Sequence, residues 1–265
     1  MIKLIVTDMD GTLLNSEGKL PNDFYKTVRK VLDKGIIFAA ASGRPYTTLK
    51  SNFHNIKDEM LFISDNGGYV MHKGRELYST VMCKDKYEGL IKAARNISGV
   101  NIVLCGKTRA YIENDEDTFF MKEVNKYYPN YKKVKDLLNV HEDILKISLS
   151  DKLGAAGNSN SILTPVYGED FKMTVSGEVW LDAGNKGINK GNSLRSVQKL
   201  FGITKEETMV FGDYYNDLEM LKEAYHSYAM ENAPDEVKFY SRFIAKSNDE
   251  EGVLEVIKEK VLKNA

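Results

Sequence analysis

The chain has 265 residues, 42% of them apolar, which suffices for one large domain or two ordinary ones with proper cores. Its 37 basic and 38 acidic residues nearly cancel to a formal charge of −1, which excludes long-range attraction to nucleic acid or to an anionic membrane surface. Two cysteines, Cys83 and Cys105, lack CxxC spacing and the four histidines are scattered, so neither a disulfide framework nor a zinc site is expected.

The opening MIKLIV is too short for the apolar stretch of a secretion signal, and Asp8 and Asp10 would interrupt one. No segment approaches the roughly 20 apolar residues that a membrane helix needs. A cytoplasmic protein is the expectation. KLIVTD then reads as a strand buried on both faces. Residues 22–34 carry Phe24, Val28, Val31 and Leu32 at helical spacing, entered through Pro21 and closed by Gly35. Residues 36–41 form a second apolar strand that stops at SGRP, where Pro45 suits the first turn of another helix. LFIS (61–64) is a third strand, followed by a DNGG turn. Strand alternating with helix implies a parallel sheet.

Between about 83 and 187 the pattern changes. NIVLC, RAYIEN, ILKISLS, FKMTVS and EVWLDA read as strands of an antiparallel sheet, with helical patterns near 85–97 and 115–127. GAAGNSNS (154–161) is a loop or the start of a helix, and KKVK (132–135) a solvated face. The last third returns to alternation: a helix over 189–201, the strand TMVFGD, a helix over 216–224, the strand SYAM, a helix over 234–240, the short strand RFIA, and a closing amphipathic helix over 252–262. The expected architecture is α/β, a Rossmann-like parallel-sheet core built from residues 1–82 and 188–265, with an α+β domain of residues 83–187 inserted between the halves.

The chemistry-bearing residues gather at predicted strand ends, where open parallel sheets bind their ligands. Asp8 and Asp10 end the first strand, and residues two apart in an extended segment face the same side. Two such carboxylates repel each other unless a cation or a shared proton intervenes; taken alone, the pair also suits an acidic turn. GDYYND supplies Asp213 and Asp217 at another strand end, where they suit either metal binding or helix capping. Ser42 and Gly43 precede a helix, a position that offers a hydroxyl and N–H groups to an anion or an ordinary cap. Lys190 opens the helix of the returning half; it suits a phosphate or plain solvation. Carboxylates for Mg²⁺, donors for a phosphate and a free carboxylate for a nucleophile make one coherent set.

DMDGTLL (8–14), ASGR (41–44), NKG (189–191) and GDYYND (212–217), in that order, resemble the four motifs of the haloacid dehalogenase superfamily, and AMENAPDEVK with SNDEEGV resembles the tail of its Cof-type branch (subfamily IIB). The resemblance spans both core halves, and the inserted domain by its size and position, as a C2 cap. It implies a Mg²⁺-dependent phosphatase of small phosphorylated metabolites, sugar phosphates or phosphorylated cofactors. Asp8 would be the nucleophile that forms an aspartyl-phosphate, and Asp10 the general acid and then base. Asp8, the Asp10 carbonyl and Asp213 would hold Mg²⁺. Ser42, Lys190, Asn216 and the backbone at Met9 and Gly43 would bind the phosphoryl group, with Asp217 and Arg44 in support. Tyr214 stands where the family commonly has glycine, which bears on substrate size. Glycines 184, 187 and 191 would let the cap hinge.

The other readings are a phosphomutase or phosphotransferase on the same fold, a non-hydrolytic phospho-acceptor module and, more weakly, a dinucleotide-binding fold, whose GxGxxG fingerprint is missing after the first strand. Expected partners are a small phosphorylated metabolite, with no nucleic acid and no membrane, in a monomer or small homo-oligomer.

Overall fold

LIVT forms strand β1 (Leu4–Thr7), every residue of it buried. A computed structural model describes residues 1–263. The elements that follow are α1 (Phe24–Asp33), β2 (Ile37–Ala41), α2 (Tyr46–Ser51), β3 (Leu61–Ser64), β4 (Tyr69–His72) and β5 (Arg75–Ser79). After the middle of the chain come α6 (Lys190–Phe201), β12 (Thr208–Gly212), α7 (Leu218–Leu221), β13 (His226–Met230), α8 (Asp235–Phe239), β14 (Phe243–Ala245) and α9 (Gly252–Ile257). The chain divides into two compact units. The first comprises Met1–Gly43, Leu49–Tyr78 and the chain from Asn189 onward; the second comprises Arg44–Thr48 and Ser79–Ile188.

In the first unit one sheet runs β14-β13-β12-β1-β2-β3-β4-β5. It is parallel from β14 through β3, and β4 turns back antiparallel to β3. The centre joins the two ends of the chain: β1 lies between β2 and β12, with Leu4 opposite both Ile37 and Thr208. That is why Leu4, Ile5 and Val6 are an unbroken apolar run, since both faces of the strand are covered. Phe24 of α1 packs edge-on against Phe38, and Phe53 lies against Phe62. Another apolar cluster gathers Leu194 and Val197 of α6 with Val6, Ala39, Val210 and Leu221.

The second unit holds α3 (Lys84–Ala94), β6 (Val100–Gly106), β7 (Ala110–Ile112), α4 (Thr118–Tyr127), β8 (Tyr131–Lys133), β9 (Ile144–Asp151), α5 (Ser159–Tyr167), β10 (Phe171–Gly177) and β11 (Trp180–Asn185). Its sheet runs β10-β11-β9-β6-β7-β8, antiparallel except where β8 joins β7. Period-two alternation sends Ile147 and Leu149 of β9 into a cluster with Leu90, Ile91 and Leu163. Lys146 and Ser148 alternate with them on β9, and each makes a buried polar contact with Asp182. The α/β class with a mainly parallel sheet and a mainly antiparallel one is as expected.

Several elements differ from expectation. The helix predicted over 216–224 is only α7, preceded by a 3-10 turn over Tyr215–Asp217. The closing helix is regular through Ile257 and continues as a π turn over Lys258–Leu262. The hairpin strands β4 and β5 and the three-residue strand β8 were not anticipated. Lys132 and Lys133 of the KKVK run do face solvent, but from β8. The GAAGNSNS segment leads into α5, which accommodates Pro165.

Candidate active site

Asp8 leaves β1 while its N–H still donates to Phe211 of β12 (3.0 Å), so the carboxylate stands where β1 runs out. The chain then folds back tightly: the Met9 carbonyl accepts from the N–H groups of Leu13 (3.1 Å) and Leu14 (2.8 Å). Gly11 makes that possible at φ +80°, and a methyl group at this position would run into the Asp213 carboxylate. Thr12 donates its hydroxyl to Asp213 Oδ1 (2.6 Å). The DxDGT loop and the end of β12 are therefore packed and bonded to each other.

Lys190 is the first residue of α6, whose end is capped by Asn189 accepting from the Asn192 N–H (2.7 Å). Gly191 has the Glu219 backbone where a Cβ would sit, so the start of α6 lies close against α7. The Lys190 ammonium, fully buried, donates to Asp8 Oδ1 and to Asp217 Oδ1 (2.7 Å for the latter). Asp217 spends its other oxygen on the N–H groups of Asp213 (3.0 Å) and Tyr214 (3.2 Å). Its carboxylate thus orders the last motif and fixes the lysine.

Burial is the largest influence on all three central groups. It pushes the Asp8 carboxyl well above the usual range; Asp217 and Asp213 add to the rise, and Lys190 opposes it. Burial likewise lifts Asp213 to about 6, with Asp217 and Asp10 adding and the Thr12 bond and Lys190 opposing. Burial alone would depress Lys190, but Asp217 and Asp8 outweigh it and the ammonium is held above its ordinary value. Carboxylate oxygens of Asp8, Asp213 and Asp217 lie within 4.8 Å of one another. Negative groups outnumber the ammonium here, and the donors are all oxygen. Such a set fits a hard divalent cation such as Mg²⁺. Since Asp217 is already committed to Lys190 and the backbone, Asp8 and Asp213 have the oxygens to offer.

A family model described as haloacid dehalogenase-like hydrolase matches residues 5–257. The chain belongs to that family. It is 35% identical over 266 residues to the 5-amino-6-(5-phospho-D-ribitylamino)uracil phosphatase YbjI of Escherichia coli (strain K12), covering 99% of this chain and 97% of the relative. A second phosphatase named for the same substrate, YcsE of Bacillus subtilis (strain 168), is 28% identical over 98% of this chain and 96% of its own. Among solved structures, a Streptococcus mutans UA159 protein superposes with a TM-score of 0.88 at 30% identity, covering 99% of this chain and 100% of that one. This haloacid dehalogenase-like hydrolase is accordingly a phosphoric monoester hydrolase acting on small phosphorylated metabolites.

The remaining residues singled out from the sequence fall into place unevenly. Ser42 is buried just beyond β2, with its N–H on Ile63 and its carbonyl accepting from Asn66. Gly43 and Asn216 both approach Asn66. Asp10 is exposed, in a bridge with Leu14; it is not one of the three clustered carboxylates, but its charge reaches Asp213. Arg44 groups with the second unit. Tyr214 and Tyr215 are exposed, their rings meeting edge-on at 5.0 Å. Trp180 is buried in an apolar cluster, its indole N–H on Glu123 (3.1 Å). No helix among the described residues is long and apolar enough to cross a membrane.

Two supporting residues escaped the sequence reading. Asn232 donates to the Gly11 carbonyl (2.8 Å), and Asn248 to that of Leu14 (2.9 Å). The Asn248 N–H donates in turn to Asn232 (3.2 Å). Together they brace the DxDGT loop from the tail. Their only sequence signal was the position of AMENAPDEVK and SNDEEGV in the family pattern.

Proposed function

We propose that this phosphatase works through an aspartyl-phosphate on Asp8, with Mg²⁺ held by Asp8, Asp213 and the Asp10 carbonyl. The observation that carries the reading is the buried lysine shared by Asp8 and Asp217 beside Asp213. A buried, fixed ammonium next to a strand-end carboxylate prepares a place for a phosphoryl dianion. When bound, Mg²⁺ supplies neutralisation of the phosphoryl charge.

The Asp8 carboxylate attacks phosphorus in line; the bond to the ester oxygen breaks and Asp10 hands its proton to the leaving alkoxide. Asp10 then takes a proton from a water that attacks the same phosphorus, which breaks the Asp8–phosphorus bond and frees phosphate. Ser42, Lys190, Asn216 and the N–H groups at Met9 and Gly43 hold the phosphoryl oxygens, and Arg44 supports the substrate. In this reading residues 1–82 and 188–265 carry the chemistry and residues 83–187 form the inserted cap. The names of the relatives make a phosphorylated ribityl compound the first substrate to try, with sugar phosphates next.

The test is phosphate release from a panel of phosphorylated metabolites with Mg²⁺, including 5-amino-6-(5-phospho-D-ribitylamino)uracil. Asp8→Asn is expected to melt like the wild type and release no phosphate. EDTA should silence the enzyme and added Mg²⁺ restore it. Undiminished release by the variant would overturn the nucleophile assignment, and indifference to chelation the metal. Isomerised sugar phosphate in place of free phosphate would favour the mutase reading.

A further inference from the structure

Immediately after β3 the backbone does something costly. Asp65 and Asn66 both adopt positive φ (51° and 54°), and Gly67 follows at 102°. Glycine takes such angles freely, asparagine with some tolerance, and other residues under strain. Strained backbone persists only where its surroundings over-determine it. Here they do: the Asn66 N–H donates to the Ser42 carbonyl (3.0 Å), and the Gly67 carbonyl accepts from the Ser193 hydroxyl of α6 (2.8 Å). A Cβ on Gly67 would meet Ser193 and the Asn189 backbone.

The turn is held so that one side chain lands between two others. A Cβ placed on Gly43 would lie 3.2 Å from both Oδ1 and Nδ2 of Asn66, so the amide fills the space beside the Gly43 backbone. Asn66 Oδ1 also accepts from Nδ2 of Asn216 at 3.4 Å. Gly43 and Asn216 belong to loops that leave different strands, β2 and β12; the sheet register fixes the ends of those strands on either side of β1, and the loops beyond them carry the two residues. Asn66 bridges the two loops with its side chain while its own N–H ties it to Ser42.

We propose that Asn66 is a positioning residue of the phosphatase reaction: its amide spaces the Gly43 backbone from the Asn216 side chain, so that both meet the same phosphoryl group. The proposal rests on the reading that Gly43 and Asn216 bind phosphate. It differs from a plain turn role in a way that one substitution separates. Asn66→Gly keeps the left-handed backbone at no steric cost and removes only the amide. A residue needed only for the turn is replaceable there; a spacer is not.

The experiment compares wild type, Asp8→Asn, Asn66→Gly, Asn216→Ala and the Asn66→Gly/Asn216→Ala double variant. It reads melting temperature, kcat/KM with Mg²⁺, and competitive inhibition by inorganic phosphate. Asn66→Gly should melt like the wild type yet lose kcat/KM by up to about a hundredfold, the scale of an ångström's misplacement. Inhibition by phosphate should weaken with it. The double variant should lose less than the product of the single losses, because both residues act on one contact. Wild-type turnover and phosphate inhibition in Asn66→Gly, beside an inactive Asp8→Asn, would overturn the spacer role alone. So would multiplicative losses, or a loss that only tracks melting. An Asp8→Asn variant as active as the wild type would instead overturn the underlying reading and the spacer role with it.

Discussion

Lys190 in the first unit and Lys146 in the second are both buried against aspartate, yet they are different objects. Lys146 meets Asp182 at 3.3 Å, and Asp182 takes a further bond from Ser148 (2.5 Å), which accepts one from Tyr128 (2.8 Å). Ser148 and Asp182 stand opposite each other on β9 and β11, so sheet register brings Lys146, Ser148 and Asp182 together, and Tyr128 joins from the end of α4. One positive charge faces one negative charge. Lys190 lies between two carboxylates with a third nearby, assembled from β1, the start of α6 and the loop after β12. Burial is common to both. What marks the candidate site is its charge imbalance and its assembly from strand ends distant in sequence.

Substitutions can break that contrast. Lys190→Met should lower kcat/KM by about a thousandfold: an ion pair near 4 Å at an effective dielectric of about 20 is worth about 4 kcal/mol, and each 1.4 kcal/mol is a factor of ten. Turnover within tenfold of wild type would place the chemistry elsewhere. Lys146→Met should act on stability, costing about 3–5 kcal/mol in denaturant unfolding by stranding Asp182. Adding Asp182→Leu should recover most of that, since a balanced buried pair is replaceable by apolar side chains. A double variant no more stable than the single would show that the pair does more than satisfy itself.

Gly11→Ala sharpens the picture at the candidate site. The new methyl would press on the Asp213 carboxylate from a backbone at φ +80°. A fall in kcat/KM of about tenfold to a hundredfold is expected, with a higher Mg²⁺ requirement; wild-type kinetics would mean that Asp213 tolerates displacement.

The smallest effect lies away from both lysines. His72, half-buried and edge-on to Phe201, has its pKa lowered by burial first and by Lys73 second. Its folded value is depressed, so its share of stability is intact above pH 6.5 and declines as pH falls below that. His72→Phe should flatten the stability profile on the acid side of 6.5, and an unchanged profile would assign that slope to another group.

Much of this molecule was legible because the strands of a doubly covered sheet are apolar runs and the proposed reactive groups sit directly at their ends. Thr7 to Asp8 and Gly212 to Asp213 are such junctions. The helix after GDYYND was overread because Asp217 directs its carboxylate to Lys190 and to two backbone N–H groups, which draws the chain into a 3-10 turn. The strand β5 has no fully buried residue, and β8 is three residues at a sheet edge, so neither carries an apolar signal. Asn66, Asn232 and Asn248 were invisible for another reason. Each acts on a loop brought near it only by the fold, and an isolated asparagine reads as an ordinary turn residue.

The central claim is that Asp8 carries phosphorus during turnover. Borohydride added to the working enzyme reduces an acyl-phosphate to the alcohol, and peptide mass spectrometry locates the change. The account predicts reduction at Asp8 that depends on substrate and disappears when Mg²⁺ is chelated. Reduction at a different carboxylate, or none while phosphate is being released, would contradict it.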